Sequence, residues 1–185
     1  IRDRVLTPHL GASTEEAQEN VAIDVAEQIR DVLLGLPARS AVNIPGLSAE
    51  IMERLKPHLQ LAETVGGLLS QLAGGQVQEL ELRLQGEFAS HPSQPLLIAS
   101  LKGLLGAVLG DSINFVNASL EAKARGIRVV EVKDEASRDF TGGSLQLISR
   151  GDQGSRSVTG AVFADGELRI TSIDAFPVNA VSYTH

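Results

Sequence analysis

His9 lies in the stretch Leu6 to Gln18, "LTPHLGASTEEAQ", with Pro8 before it, Gly11 just after it and a helix start close behind. A neutral imidazole can take a proton from a substrate hydroxyl near neutral pH. Pro8 stiffens the approach, Gly11 lets the backbone come close to a ligand, and a helix start presents free N–H groups. On the residues alone two readings stay open: a general base, or a loop histidine with no chemical role.

The other reactive residue types point to less. His58 and His91 stand next to Pro57 and Pro92 with no Asp, Glu or His at ligand spacing, so no metal site is predicted. Thr141 to Ser144, "TGGS", has glycines that could wrap a phosphate, but no helix follows and a strand connection is the expectation. Asn117 opens the acceptor pattern "NAS", which without a secretory signal is coincidence. Glu79 and Glu81 alternate with leucines, so a solvated strand face is expected rather than a pair of acid–base carboxylates. With no cysteine, the chain has no disulfide, thiolate nucleophile or thiolate zinc site.

The elements that must position these residues are readable from period and punctuation. Ser13 and Glu16 form a capping-box pattern, followed by Ala17, Val21, Val25, Ile29, Val32 and Leu33 on one stripe before Gly35. A connector with Pro37, Pro45 and Gly46 follows. A second helical region begins near Ser48, is expected to break at Pro57, and resumes through Leu61, Val65, Leu69 and Leu72. The period then becomes two in "QVQELELRLQGE", a half-buried strand, and "ASHPSQP" reads as a loop. An apolar helix from Pro95 to Leu109 and a further helix from Ser112 to Arg125, stopped by Gly126, come next. Four strands close the chain: Ile127–Lys133, Ser144–Ser149, Arg156–Ala164 and Glu167–Phe176, with Asp165-Gly166 as a hairpin turn between the last two. The predicted class is α/β of the α+β type, with helices on one face of a mixed or antiparallel open sheet and a loop and helix ahead of it.

Composition bounds the function. The 185 residues suffice for one domain, or one domain plus a piece of another; 43% are apolar and 21% charged, as in a globular protein. The net charge of -7 and scattered Lys and Arg speak against a nucleic-acid partner. The most apolar run falls short of the roughly 20 residues a bilayer requires. No signal peptide is read, and a cytoplasmic location and no membrane partner are expected.

The segment "LTPHLGASTEEAQ", then "AVN" at Ala41 to Asn43, "LKPHLQLAETVGGLLSQLA" and "SLKGLLGAVLGDSINFVNASLEAKARGI" resemble the NAD-dependent D-2-hydroxyacid dehydrogenases, within them the long-form D-3-phosphoglycerate dehydrogenases. The resemblance implies that residues 1–43 are the tail of the catalytic lobes, 44–181 an intervening regulatory domain, and 182–185 the start of a linker to an ACT domain. It implies His9 as the base that takes the hydroxyl proton while hydride leaves for NAD, with His9, Leu10, Gly11 and Ala12 touching that cofactor. It also implies 3-phosphoglycerate, and possible regulation by serine, as ligands, homo-oligomers as the assembled state, and a regulatory anion site with Arg169 as the nearest candidate and Lys102 and Lys133 behind it. A solvated strand residue is the competing reading of Arg169.

The chain departs from the family in lacking a strand, G-x-G-x-x-G and helix for a dinucleotide, and the glutamate and arginine that partner the family's histidine are not in it. The expectation is therefore an inactive piece of that oxidoreductase; a stand-alone anion-binding module and an oligomerisation spacer are the alternatives. Without the lobe that it covers in the family, the stripe of the first helix should stay exposed, exchange between molecules or repack.

Overall fold

A computed structural model of the chain describes residues 14–33, 49–135, 143–163 and 166–181. Helix α1 (Glu15–Leu33) carries Glu15 and Glu16 at its positive end. The Thr14 hydroxyl accepts the Ala17 amide at 3.2 Å and caps this end; Ser13, the expected cap, lies outside the described residues. Val21, Ile23, Val25 and Ile29 remain exposed along it.

Helix α2 (Ala49–Ala73) runs unbroken through Pro57, against the expected interruption. Losing one ladder hydrogen bond and accommodating the ring costs on the order of 3 kcal/mol. Leu55, Leu61, Val65 and Leu69 are fully buried on this helix, at ~1.5–3 kcal/mol each, and outweigh it.

Strand β1 (Val77–Gln85) follows. The expected loop after it shrinks to His91 and Pro92, because Glu87–Ser90 forms a short helix, α3, with Phe88 and Ala89 buried. The Ser90 hydroxyl donates to the Glu87 carbonyl at 2.7 Å. Helix α4 (Ser93–Leu109) is the expected apolar helix. The helix predicted from Ser112 is cut to α5 (Ala118–Ala124). Asn114 Oδ1 accepts the amides of Val116 and Asn117, and Asn117 Oδ1 accepts that of Asn114. These local bonds hold a turn where the helix would otherwise begin.

The remaining strands are β2 (Arg128–Asp134), β3 (Ser144–Gly151), β4 (Gly154–Val162), β5 (Leu168–Ile173) and β6 (Phe176–Val181). The fourth predicted strand, Glu167–Phe176, holds β5, and β6 is a strand the sequence analysis did not predict beyond its first residue, Phe176. Asp174 (φ 48°) and Ala175 (φ 67°) turn the chain between Ile173 and Phe176, the paired positive φ of a two-residue hairpin. Asp174 is fixed there by the Ser157 amide and the Arg156 guanidinium, both at 2.8 Å; together they hold its carboxyl below the ordinary range.

The sheet order is β2-β1-β3-β4-β5-β6, with β1 and β2 parallel and every other pair antiparallel. This is the mixed open sheet expected. On one face Leu80, Leu82 and Leu84 pair with Ser149, Leu147 and Leu145, and Leu147 pairs with Val158. All but Ser149 are apolar, and all are buried in the core beneath the helices. Helix α2 lies over β4 at Gly160, where a Cβ would sit 2.7 Å from Leu61 Cδ1. Helices α2 and α4 approach so closely that a Cβ on Gly66 would strike the Ser100 carbonyl oxygen, and one on Gly103 that of Glu63.

Candidate functional site

His9, Leu10, Gly11 and Ala12 lie outside the described residues, as do Thr141, Gly142, Asp165 and residues 34–48. The three candidate anion-binding cations are described, and each has its own partner. Lys102, on α4, donates to Glu63 Oε1 at 2.6 Å and lies 4.9 Å from the Phe115 ring centroid. Lys133, on β2, donates to the His91 carbonyl at 2.9 Å. Arg169, on β5, pairs with Glu167 at 2.6 Å and stacks its guanidinium 4.4 Å from the Phe163 ring centroid. Strands β2 and β5 are four strand spacings apart, about 19 Å, so Lys133 and Arg169 cannot close on one small anion.

The densest charge cluster lies on the helix-free face of the sheet, and the sequence reading missed it. Glu79 and Glu81 are not solvated: they are 9% and 5% exposed. β1 is a central strand whose neighbours bring arginines over both carboxylates. Arg128 and Arg150 face Glu79 across the β2 and β3 registers. Glu79 Oε2 pairs with Arg128 and Oε1 with Arg150; Glu81 Oε1 pairs with Arg83, and its Oε2 with Arg150 at 2.7 Å. Burial alone would raise the Glu81 carboxyl, but the hydrogen bonds and charges of Arg83 and Arg150 outweigh it and hold it below the ordinary range. Those same bonds raise Arg150. All four carboxylate oxygens are occupied by cations, so neither group is available as a general base. The one signal in the sequence was Arg83 two residues after Glu81; Arg150, 71 residues from Glu79, carried none.

Two surface recesses complete the chemistry. A cleft of about 400 Å³ between α2, α4 and the start of β1 is lined mainly by apolar groups such as Ala73, Leu104 and Val108, and its one charged residue, Arg125, is paired with Glu121. An open trough of about 460 Å³ along Gly67, Gly103 and Gly106 holds Lys102 and Glu63, which neutralise each other. Among the described residues no group of three His, Asp or Glu could hold a metal ion, and no helix is long and apolar enough to cross a membrane.

The described residues form an α+β domain with helices over one face of a mixed open sheet. Residues 54–174 match the family described as the D-3-phosphoglycerate dehydrogenase intervening domain, and the chain belongs to that family. Among its relatives, one from Synechocystis sp. is 61% identical over 95% of this chain and 32% of its own length. One from Methanocaldococcus jannaschii is 38% identical over 95% of this chain and 33% of its own length. One from Bacillus subtilis is 34% identical over 95% and 33%. Each bears the name D-3-phosphoglycerate dehydrogenase. The chain spans about a third of the length of these relatives.

Proposed function

We propose that this chain serves as the regulatory and assembly part of an NAD-dependent oxidoreductase that converts 3-phosphoglycerate to 3-phosphohydroxypyruvate, the first step of L-serine synthesis. The observation that carries the reading is the 61% identity over 95% of the chain to a D-3-phosphoglycerate dehydrogenase, which extends well beyond the intervening domain itself. In this reading His9 is the base that takes the substrate hydroxyl proton, and it must be neutral to do so. Hydride acceptance is the chemistry NAD supplies. The turn from His9 to Ala12 would lie against that cofactor, with Gly11 permitting the approach. No strand, G-x-G-x-x-G and helix is present to cradle a pyrophosphate, so the chain alone is expected to bind NAD weakly and to be inactive.

The intervening domain would respond through Arg169 to a small molecule bearing an anionic group, such as 3-phosphoglycerate or the carboxylate of zwitterionic serine. The dispersed positions of Lys102 and Lys133 leave Arg169 to act without them. Homo-oligomers and a cytoplasmic location belong to the same proposal.

The test is direct. The purified chain, given NAD and 3-phosphoglycerate, should form no NADH. Joined behind the catalytic lobes of the Synechocystis relative it should turn over, and His9→Ala should then lower kcat by about 10²–10⁴-fold. Turnover by the isolated chain, or an unchanged kcat in the joined His9→Ala enzyme, refutes the reading.

A further inference from the structure

Two histidines from distant parts of the chain meet beside the core. His58, on α2 just after Pro57, and His91, which ends α3 just before Pro92, have ring centroids 4.6 Å apart at 63°. His58 also lies edge-on to Phe88, 4.7 Å between centroids, and Phe88 is fully buried. The contact therefore ties the middle of α2 to the corner where β1 passes through α3 into α4.

The hydrogen bonds fix how the protons sit. The Arg54 carbonyl, 3.2 Å from His58 Nδ1, can only accept, so Nδ1 carries the proton and Nε2 the lone pair. His91 Nε2 is buried with no partner among the described residues. A hydrogen there would be a buried donor without an acceptor, which places the lone pair at Nε2 and the proton at Nδ1. Two neutral imidazoles satisfy this geometry. Protonating His91 creates the unpaired donor, and protonating both sets two cations ring to ring.

The charged groups around the pair are few. Glu87, on α3, favours the charged forms of both rings, and Lys133, on β2, opposes charge on His91 while its ammonium donates to the His91 carbonyl. The one charged residue of α4, Lys102, is engaged with Glu63. Burial is the largest influence on both imidazoles and lowers both; the charge of His91 lowers His58 further.

We infer that the His58–His91 contact is a proton-released latch: the neutral rings hold α2 against the α3 corner, and proton uptake frees residues 86–92 while the sheet and the α2–α4 pair stay folded. Release also takes the His91 carbonyl away from Lys133 and leaves that ammonium to solvent, so an acid shift changes which cations the β2 edge presents. The inference does not depend on the catalytic reading.

Imidazole NMR titration of the whole chain, assigned with His58→Gln and His91→Gln, is to be combined with amide hydrogen exchange at about pH 7.5 and about pH 5, corrected for intrinsic rates. Both histidines should titrate below the ordinary 6.5, and the amides of residues 86–91 should gain at least about tenfold in exchange at the lower pH, with β1 and β3 unchanged. His91→Gln, neutral at both pH values, should abolish the gain; should it not fold, the wild-type titration and exchange decide alone. Titration of both rings at the ordinary value, no gain at 86–91, or a gain spread evenly over β1 and β3 overturns the latch.

Discussion

A carboxylate on the open face of a sheet ordinarily looks into water, and its pairing contributes little. Glu79 and Glu81 differ because three arginines from β1, β2 and β3 lie over them and leave them nearly inaccessible. Arg150 is the shared member, bonded to both carboxylates. Arg150→Gln should leave each glutamate with a single arginine and lower the melting temperature at neutral pH. The pH dependence has a definite sign. The Glu81 carboxyl is lowered in the folded chain from 4.5, so its stabilisation is present above that value and is lost as pH falls through the folded one. Melting curves from about pH 7 to about pH 3 should show a shallower acid decline in Arg150→Gln than in the wild type; parallel curves would mean that the cluster does not couple to folding. The alternation of leucine with charge showed which side chains of β1 face the core, but not what lies over the others. A period of two reports facing, and the covering residues came from strands far along the chain.

At the scale of elements, the stripes and punctuation marked α1, α2, α4, β1 and the late strands, because burial on one face is a local pattern. What local pattern could not carry was context. Pro57 breaks an isolated helix, yet here the buried residues around it hold α2 in one piece. Asp174 and Ala175 end β5 short of the predicted Phe176, and turn the chain into an unpredicted β6, because the Ser157 amide and Arg156 pin the aspartate from a neighbouring strand. The anion-site candidates were named only through the family resemblance; their dispersal over α4, β2 and β5 follows from strand order, which no spacing encodes. The α2–α4 seam makes a paired prediction. Gly66→Ala should collide with the Ser100 carbonyl and destabilise by about 2 kcal/mol net of the better helix propensity. The next residue reverses the sign: a Cβ on Gly67 meets the Gly103 carbonyl oxygen at an ordinary 3.8 Å, so Gly67→Ala should stabilise by up to about 1 kcal/mol. Urea unfolding of the two variants side by side checks both.

For the whole molecule, the core among the described side chains is built from α2, α3, α4, α5 and the sheet, and none of residues 15–30 of α1 belongs to it. A chain starting at Ser48 should therefore melt within about 2 °C of the full chain, and it should bind less of a hydrophobic dye because Val21, Ile23, Val25 and Ile29 are gone. A larger fall in melting temperature would show that α1 packs on the domain in solution. The strand order also sets a schedule for synthesis. β1 is made early, yet its partners in the ladder are β2 and β3, and Glu79 waits for Arg150, 71 residues further on. Until β2 is made the leucines and both glutamates of β1 have no strand beside them, and until β3 is made its other edge stays open, although the residues of α2 and α4 are already present. β3 is the last ladder partner of β1 to be made, and a pause in translation before Ser144 should lengthen the time in which that edge of β1 is open to pairing with another nascent chain.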